Sequence, residues 1–148
     1  MKTFSGLLLF ACLLLMTPGR LEAQNMREGD NVIECLGKSV DSDMANSLMS
    51  AYNMKDDIPG VKAGKGLTLY APGGYIQRIT FQNNKMYGHF AGNLPFGLSM
   101  NDKIKDLRQK YPKATETEDY FKFYSGKYSV EIKFTSAKKK SIDFIAVL

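Results

Sequence analysis

Histidine and cysteine, the side chains that most often carry metal or nucleophilic chemistry, are nearly absent. The chain of 148 residues has one histidine, His89, and two cysteines, Cys12 and Cys35. A single histidine supports no His-based metal cluster. Cys12 falls in an N-terminal apolar stretch, so the rest of the chain holds Cys35 alone. It cannot close an intramolecular disulfide and must be held by packing. Cys35 lies in Val32-Ile33-Glu34-Cys35-Leu36 and reads as a small buried apolar residue. No Gly-rich run leads from a strand pattern into a helix with a following Lys-Ser/Thr, which excludes the nucleotide-cradling loops. Gly64-Lys65-Gly66 and Gly73-Gly74 read instead as hairpin turns. No catalytic signature and no metal signature stands out, and no cofactor is expected.

What is present begins with a leader. Met1-Lys2 is a short positive start, Phe4 to Met16 is apolar, Pro18 and Gly19 break the run, and Leu21-Glu22-Ala23 precedes Gln24. That layout is a secretory signal peptide, residues 1–23, with cleavage after Ala23. The apolar run is too short to act as a membrane-spanning anchor. Leu9-Phe10-Ala11-Cys12 loosely resembles a lipobox, but the run continues through Leu13-Leu14-Leu15-Met16, where a lipidated cysteine normally ends it. The remainder, 24–148, suits one extracytoplasmic domain, periplasmic or secreted, with no transmembrane segment. The whole chain carries a formal net charge of +5, and its lysines are spread apart from Lys138-Lys139-Lys140. Nucleic-acid binding calls for a clustered basic face, so no nucleic-acid partner is expected.

Internal similarity organises the rest. Gly37-Lys38-Ser39-Val40-Asp41 matches Gly97-Leu98-Ser99-Met100-Asn101, Leu67-Thr68-Leu69-Tyr70 matches Phe121-Lys122-Phe123-Tyr124, and the segment Tyr75 to Phe81 matches Tyr128 to Phe134, all in the same order. Two repeats, about 32–92 and 93–148, follow. In each, a helix is expected ahead of three strands. Met44, Leu48 and Tyr52 mark the first helix; Met100, Ile104, Leu107 and Tyr111 mark the second, with Ser99 as N-cap, Asp102 three residues on, and Pro112 as its stop. Val130, Ile132 and Phe134 alternate with Ser129, Glu131 and Lys133, the pattern of a half-buried antiparallel strand. Ser125-Gly126-Lys127 is its hairpin connection, and Ser141 to Val147, apolar on both faces, is a central or covered strand. The expected fold is α+β: a tandem repeat of a helix followed by three antiparallel strands, with helices packed on one face of the sheet.

The other strand parity then faces outward. In the first repeat it carries Thr68, Tyr70, Ile76, Arg78, Thr80, Tyr87 and His89; in the second, Tyr120, Lys122, Tyr124, Glu131, Lys133 and Asp143. Tyrosine and arginine supply large rigid area with a polar handle and are favoured at interface hot spots. The candidate partner-binding residues are therefore Tyr70, Arg78, Tyr87, His89, Tyr120, Lys122, Tyr124, Glu131 and Lys133. His89 lacks an obvious nucleophile nearby, and a catalytic role would need a carboxylate such as Asp143 beside it. The carboxylates Asp56-Asp57, Glu116, Glu118 and Asp119 fall in turn-like segments and read as solvated flanks.

Tandem helix-plus-sheet units, each helix opened by Gly-x-Ser-(apolar)-(Asp/Asn), in an exported chain resemble the beta-lactamase inhibitory protein family. The unit from Gly97 to Phe134 is also similar to the BamE/SmpA outer-membrane assembly domain. The resemblance covers about Ile33 to Leu148. It departs from the inhibitory family in having one cysteine where that family has disulfides, and from BamE in having two units and no convincing lipobox. It implies a concave sheet that binds another protein: a non-enzymatic binding module, an inhibitor or immunity-type protein, docking its partner on the open sheet face. The alternatives are an envelope structural or assembly factor, and a small-molecule or glycan binder, since tyrosine-rich faces can stack on sugars.

Overall fold

The computed structural model describes residues 26–136, 138 and 141–148. The expected leader, Met1–Ala23, therefore lies outside the described residues, as do two of the three lysines at 138–140. The architecture is α+β and mostly sheet. Among the described residues, three short α-helices, α1 (Gly29–Ile33), α2 (Asp43–Ala51) and α3 (Ile104–Lys110), accompany nine strands. These are β1 (Lys55–Ile58), β2 (Val61–Gly64), β3 (Leu67–Tyr70), β4 (Arg78–Asn84), β5 (Gly88–His89), β6 (Thr115–Glu116), β7 (Tyr120–Ser125), β8 (Tyr128–Phe134) and β9 (Ile142–Val147). All pairings are antiparallel, in the order β1-β2-β3-β4-β9-β8-β7-β6, with β5 beside the end of β4. Two meanders, β1–β4 and β6–β9, thus meet along their last strands. Each contributes four strands to the main path, not three. The strands missed by the alternation rule are those at the rims. β1 is fully exposed, β2 half-buried, and β6 only two residues long, so none needs an apolar parity.

The core face follows from the register. Leu67 pairs with Phe81, Phe81 with Ile145, Ile145 with Ile132, and Ile132 with Phe121. One apolar row therefore crosses five strands, and all five of these side chains are buried. Leu69, Ile79, Val147, Val130 and Phe123 make a second such row. Leu48 of α2 and Leu107 of α3 belong to the same core. Tyr52 stacks on Phe90 at 5.6 Å, and Tyr111 stacks on Phe123 at 3.6 Å. Cys35 is buried in this core, and burial pushes its thiol up to about 11. β9 lies between β4 and β8, the central position expected of it.

The Gly-x-Ser turns are alike in detail. Ser39 Oγ accepts the Asp41 N–H at 3.2 Å, and Ser99 Oγ accepts the Asn101 N–H at the same distance. The carbonyls of Ser39 and Ser99 accept the N–H of Ser42 and Asp102 at 3.1 and 3.0 Å. Gly37 and Gly97 both take positive φ, 78° and 65°. These turns precede the helices and do not cap them. The N-cap of α2 is Ser42, whose Oγ accepts the Ala45 N–H at 3.3 Å. Ser99 is not the N-cap of α3. That helix begins at Ile104, where the Asp106 carboxylate accepts the Lys103 N–H at 3.0 Å, while Asp102 folds back onto the Ser99 N–H at 2.9 Å. Met100 consequently precedes the helix. α3 ends at Lys110, before Pro112, as expected.

Candidate interaction face

The face opposite the helices is organised in rows that run across the strands. The first row joins Ile58, Val61, Tyr70 and Arg78 by direct register. One step beyond the Ile79–Val147 pair, Arg78 comes beside Leu148. Leu148 exchanges two 2.9 Å backbone hydrogen bonds with Ser129, which pairs with Tyr124. Four of the large exposed apolar side chains lie on this one row: Ile58 (61% exposed), Tyr70 (44%), Leu148 (38%) and Tyr124 (82%).

The second row is lower. It joins Ala63, Thr68, Thr80 and Ala146 by register, and continues to Glu131 and Lys122. Thr68, Thr80 and Ala146 are buried on this face. Gln82 bridges this row to the next, donating to Thr68 Oγ1 at 3.1 Å while its own oxygen accepts from Asn84 at 2.8 Å. The third row joins Gln82, Phe144, Lys133 and Tyr120.

The charge on this face is mostly positive. Lys122 pairs with Glu131 at 2.8 Å, and that hydrogen bond raises the lysine pKa. Arg78 works against this rise, which places its guanidinium within electrostatic reach of Lys122. Lys133 lies 5.5 Å from the Tyr120 ring centre and 6.0 Å from that of Phe144, and Lys122 lies 5.5 Å from Tyr120. Among the described residues, neither Arg78 nor Lys133 forms an ion pair.

The structure brings together seven of the nine candidate residues: Tyr70, Arg78, Tyr120, Lys122, Tyr124, Glu131 and Lys133. The other two lie elsewhere. Tyr87 sits in the β4–β5 turn, where its hydroxyl donates to Asp57 at 2.9 Å, a bond that raises its pKa. It lines an open depression of about 350 Å³ with Lys55, Asp56, Lys65 and Met86. His89 pairs in register with Asn83, a residue of the same parity as Ile79 and Phe81, so it belongs to the opposite side of the sheet. Its Nδ1 lies 2.6 Å from Asn83 Oδ1, an amide and not a carboxylate. Two further residues assigned to the outward parity are also displaced. Ile76 is buried, because its segment turns back on the α1–α2 connection before β4 begins, with Gly37 donating to its carbonyl at 2.7 Å. Asp143 occupies the irregularity of β9, out of the paired rows.

Sequence reasoning missed Leu148 and Ile58. Leu148 lies just past β9 and Ile58 in an edge strand, and only the register across seven strands aligns them with the tyrosines. No helix among the described residues is long and apolar enough to cross a membrane. No family model, curated protein or solved structure matches the chain.

Proposed function

We propose that the protein is an exported binding module that docks another protein on the open face of its sheet, as an inhibitor or immunity-type protein does, and that it binds without chemistry. The observation that carries this reading is the first row, where exposed tyrosines and aliphatic side chains flank a central arginine. Aromatic and arginine anchors of this kind dominate binding energy at protein interfaces, and positive charge on the same face adds steering and specificity. We further read the two halves as two copies of one unit. The matching turns at Ser39 and Ser99 support this, as does a strand order symmetric about the β4–β9 junction.

The test is an affinity capture from native envelope and culture fluid with residues 24–148 and with the double variant Tyr70→Ala/Tyr124→Ala. A stoichiometric protein retained by the first and lost by the second is the expected result. Each anchor is worth on the order of 2 kcal/mol when truncated. The same protein held equally by both would overturn the surface, and no protein in either fraction would overturn protein binding. If the captured protein is an enzyme whose activity falls on binding, the module is an inhibitor. Capture of an outer-membrane complex identifies an assembly factor instead.

A further inference from the structure

Any partner that covers the first row also covers Arg78. The arginine is in register with Tyr70 and beside Leu148, so contact with those two side chains takes its guanidinium out of water. Lys133 repeats the arrangement on the third row. Its register neighbours are Tyr120 and Phe144, and its ammonium lies 5.5 and 6.0 Å from their ring centres. Neither cation forms an ion pair among the described residues. A cation taken out of water without a counter-charge is strongly destabilising. Met by a carboxylate, the same cation makes a charge-assisted hydrogen bond, which the exclusion of water strengthens.

The face itself supplies no such counter-charge. Along the three rows Glu131 is the only carboxylate, and Lys122 holds it at 2.8 Å. Other carboxylates are engaged on the helix side or at the rim: Asp106 on the Lys103 N–H, Asp102 on Lys110, Glu116 on Arg108 and Asp56 on Lys62. Arg78 and Lys133 are two strand spacings and four residues apart, about 16 Å between Cα positions at roughly 4.8 and 3.3 Å each. A compact anion reaches one of them; an extended surface reaches both. Ile58 and Leu148, 61% and 38% exposed on the first row, call for apolar area in that same surface, which a charged polysaccharide lacks. Resting on the protein-docking reading above, we infer that the partner is a protein with an acidic contact surface. Two separated Asp or Glu side chains, set among apolar residues, meet Arg78 and Lys133 one each.

The captured protein, purified, is the probe. Arg78→Glu and Lys133→Glu each set like charges in the contact and should weaken binding about tenfold or more. Lys105→Glu makes the same change of net charge on the exposed side of α3 and should alter binding less than about twofold. Replacing the partner's carboxylates by lysine, one at a time, should restore binding to one reversal variant and not to the other. The same replacements should weaken binding to the unaltered chain, which tests the contact even where a reversal variant fails to fold. Reversals no weaker than Lys105→Glu would overturn the acidic partner, and a single partner lysine that rescues both variants would overturn the two-point contact. In both cases a Tyr70- and Tyr124-dependent docking face still stands. No protein captured by the unaltered chain would instead remove the docking face itself. Retention on heparin that needs Arg78 and Lys133 would then give the face to a sulfated polysaccharide. A dimer of the pure protein that Tyr70→Ala/Tyr124→Ala dissociates would give it to a second copy, and either result overturns the inference.

Discussion

At the residue scale, Cys35 illustrates how burial replaces chemistry. Its thiol is buried in the core just after α1, and desolvation disfavours the thiolate, lifting its pKa from 9.0 to about 11; Glu34 adds to this and Lys38 opposes it. A raised acid pKa means that the native state holds the proton more tightly than the unfolded chain does. The stabilisation is fully present below pH 9 and is lost as the pH rises through about 11, a difference of about 3 kcal/mol. Tyr52 behaves likewise from 10 to about 12, its hydroxyl donating to the Met26 carbonyl at 2.9 Å. Melting temperature should therefore fall steeply between pH 9 and 11, and less steeply in Cys35→Ala. Equal slopes would show that the thiol is not responsible. In the native protein at pH 8 a thiol reagent should leave Cys35 unmodified, and full reaction should follow denaturation. Cys35 was legible from its apolar neighbours alone. His89 was not, since its side of the sheet depends on its register with Asn83, which no local pattern encodes.

At the scale of elements, strands with one buried face were readable and strands without one were not. β7 and β8 alternate cleanly because one parity must pack against α3, and Gly126, at φ 58°, closes their two-residue hairpin. β1 and β2 bury neither parity fully, so neither was read as a strand of the first meander. That is also why the internal matches set Leu67–Tyr70 against Phe121–Tyr124, although β3 lies second from its end of the meander and the strand in that place in the other half is β8. Gly66 supplies a test of the β2–β3 turn. At φ 81° a Cβ would lie 2.3 Å from the His89 carbonyl carbon and the Phe90 nitrogen, both backbone atoms that cannot swing aside. Gly73, at φ 78°, has nothing within 4 Å. Gly73→Ala should cost only the left-handed backbone penalty, about 1–2 kcal/mol, whereas Gly66→Ala must displace β5 and should cost at least twice as much by denaturant melts. At the start of α2, Ser42→Ala removes the cap on the Ala45 N–H and should cost about 1 kcal/mol.

At the scale of the molecule, the two meanders share one core because β4 and β9 pair through four consecutive residues, from Ile79–Val147 to Gln82–Phe144. The same junction joins the two halves of the open face, since Thr80 and Ala146 pair across it on that face while Phe81 and Ile145 pair beneath. A surface that needs both halves in fixed register is thus supported by the residues that join them. Phe81 is the centre of that support: fully buried, in register with Leu67 on one side and Ile145 on the other, and edge-on to Phe90 at 4.8 Å. Phe81→Ala removes the ring from a site with backbone on both flanks, which limits collapse into the cavity, so a loss of about 3–5 kcal/mol is expected. Against a total stability of about 5–15 kcal/mol for a domain, that is a large fraction. If the halves fold as one unit, the variant should melt in a single transition at lower temperature, and amide protection in β7 and β8, far from the substitution, should fall by the same free energy as in β3 and β4. Protection retained in β7–β8 while β3–β4 exchanges freely would mean that the halves are separate cooperative units. The docking face would then be assembled by two bodies free to shift, and the aligned row from Ile58 to Tyr124 could not act as a single rigid template.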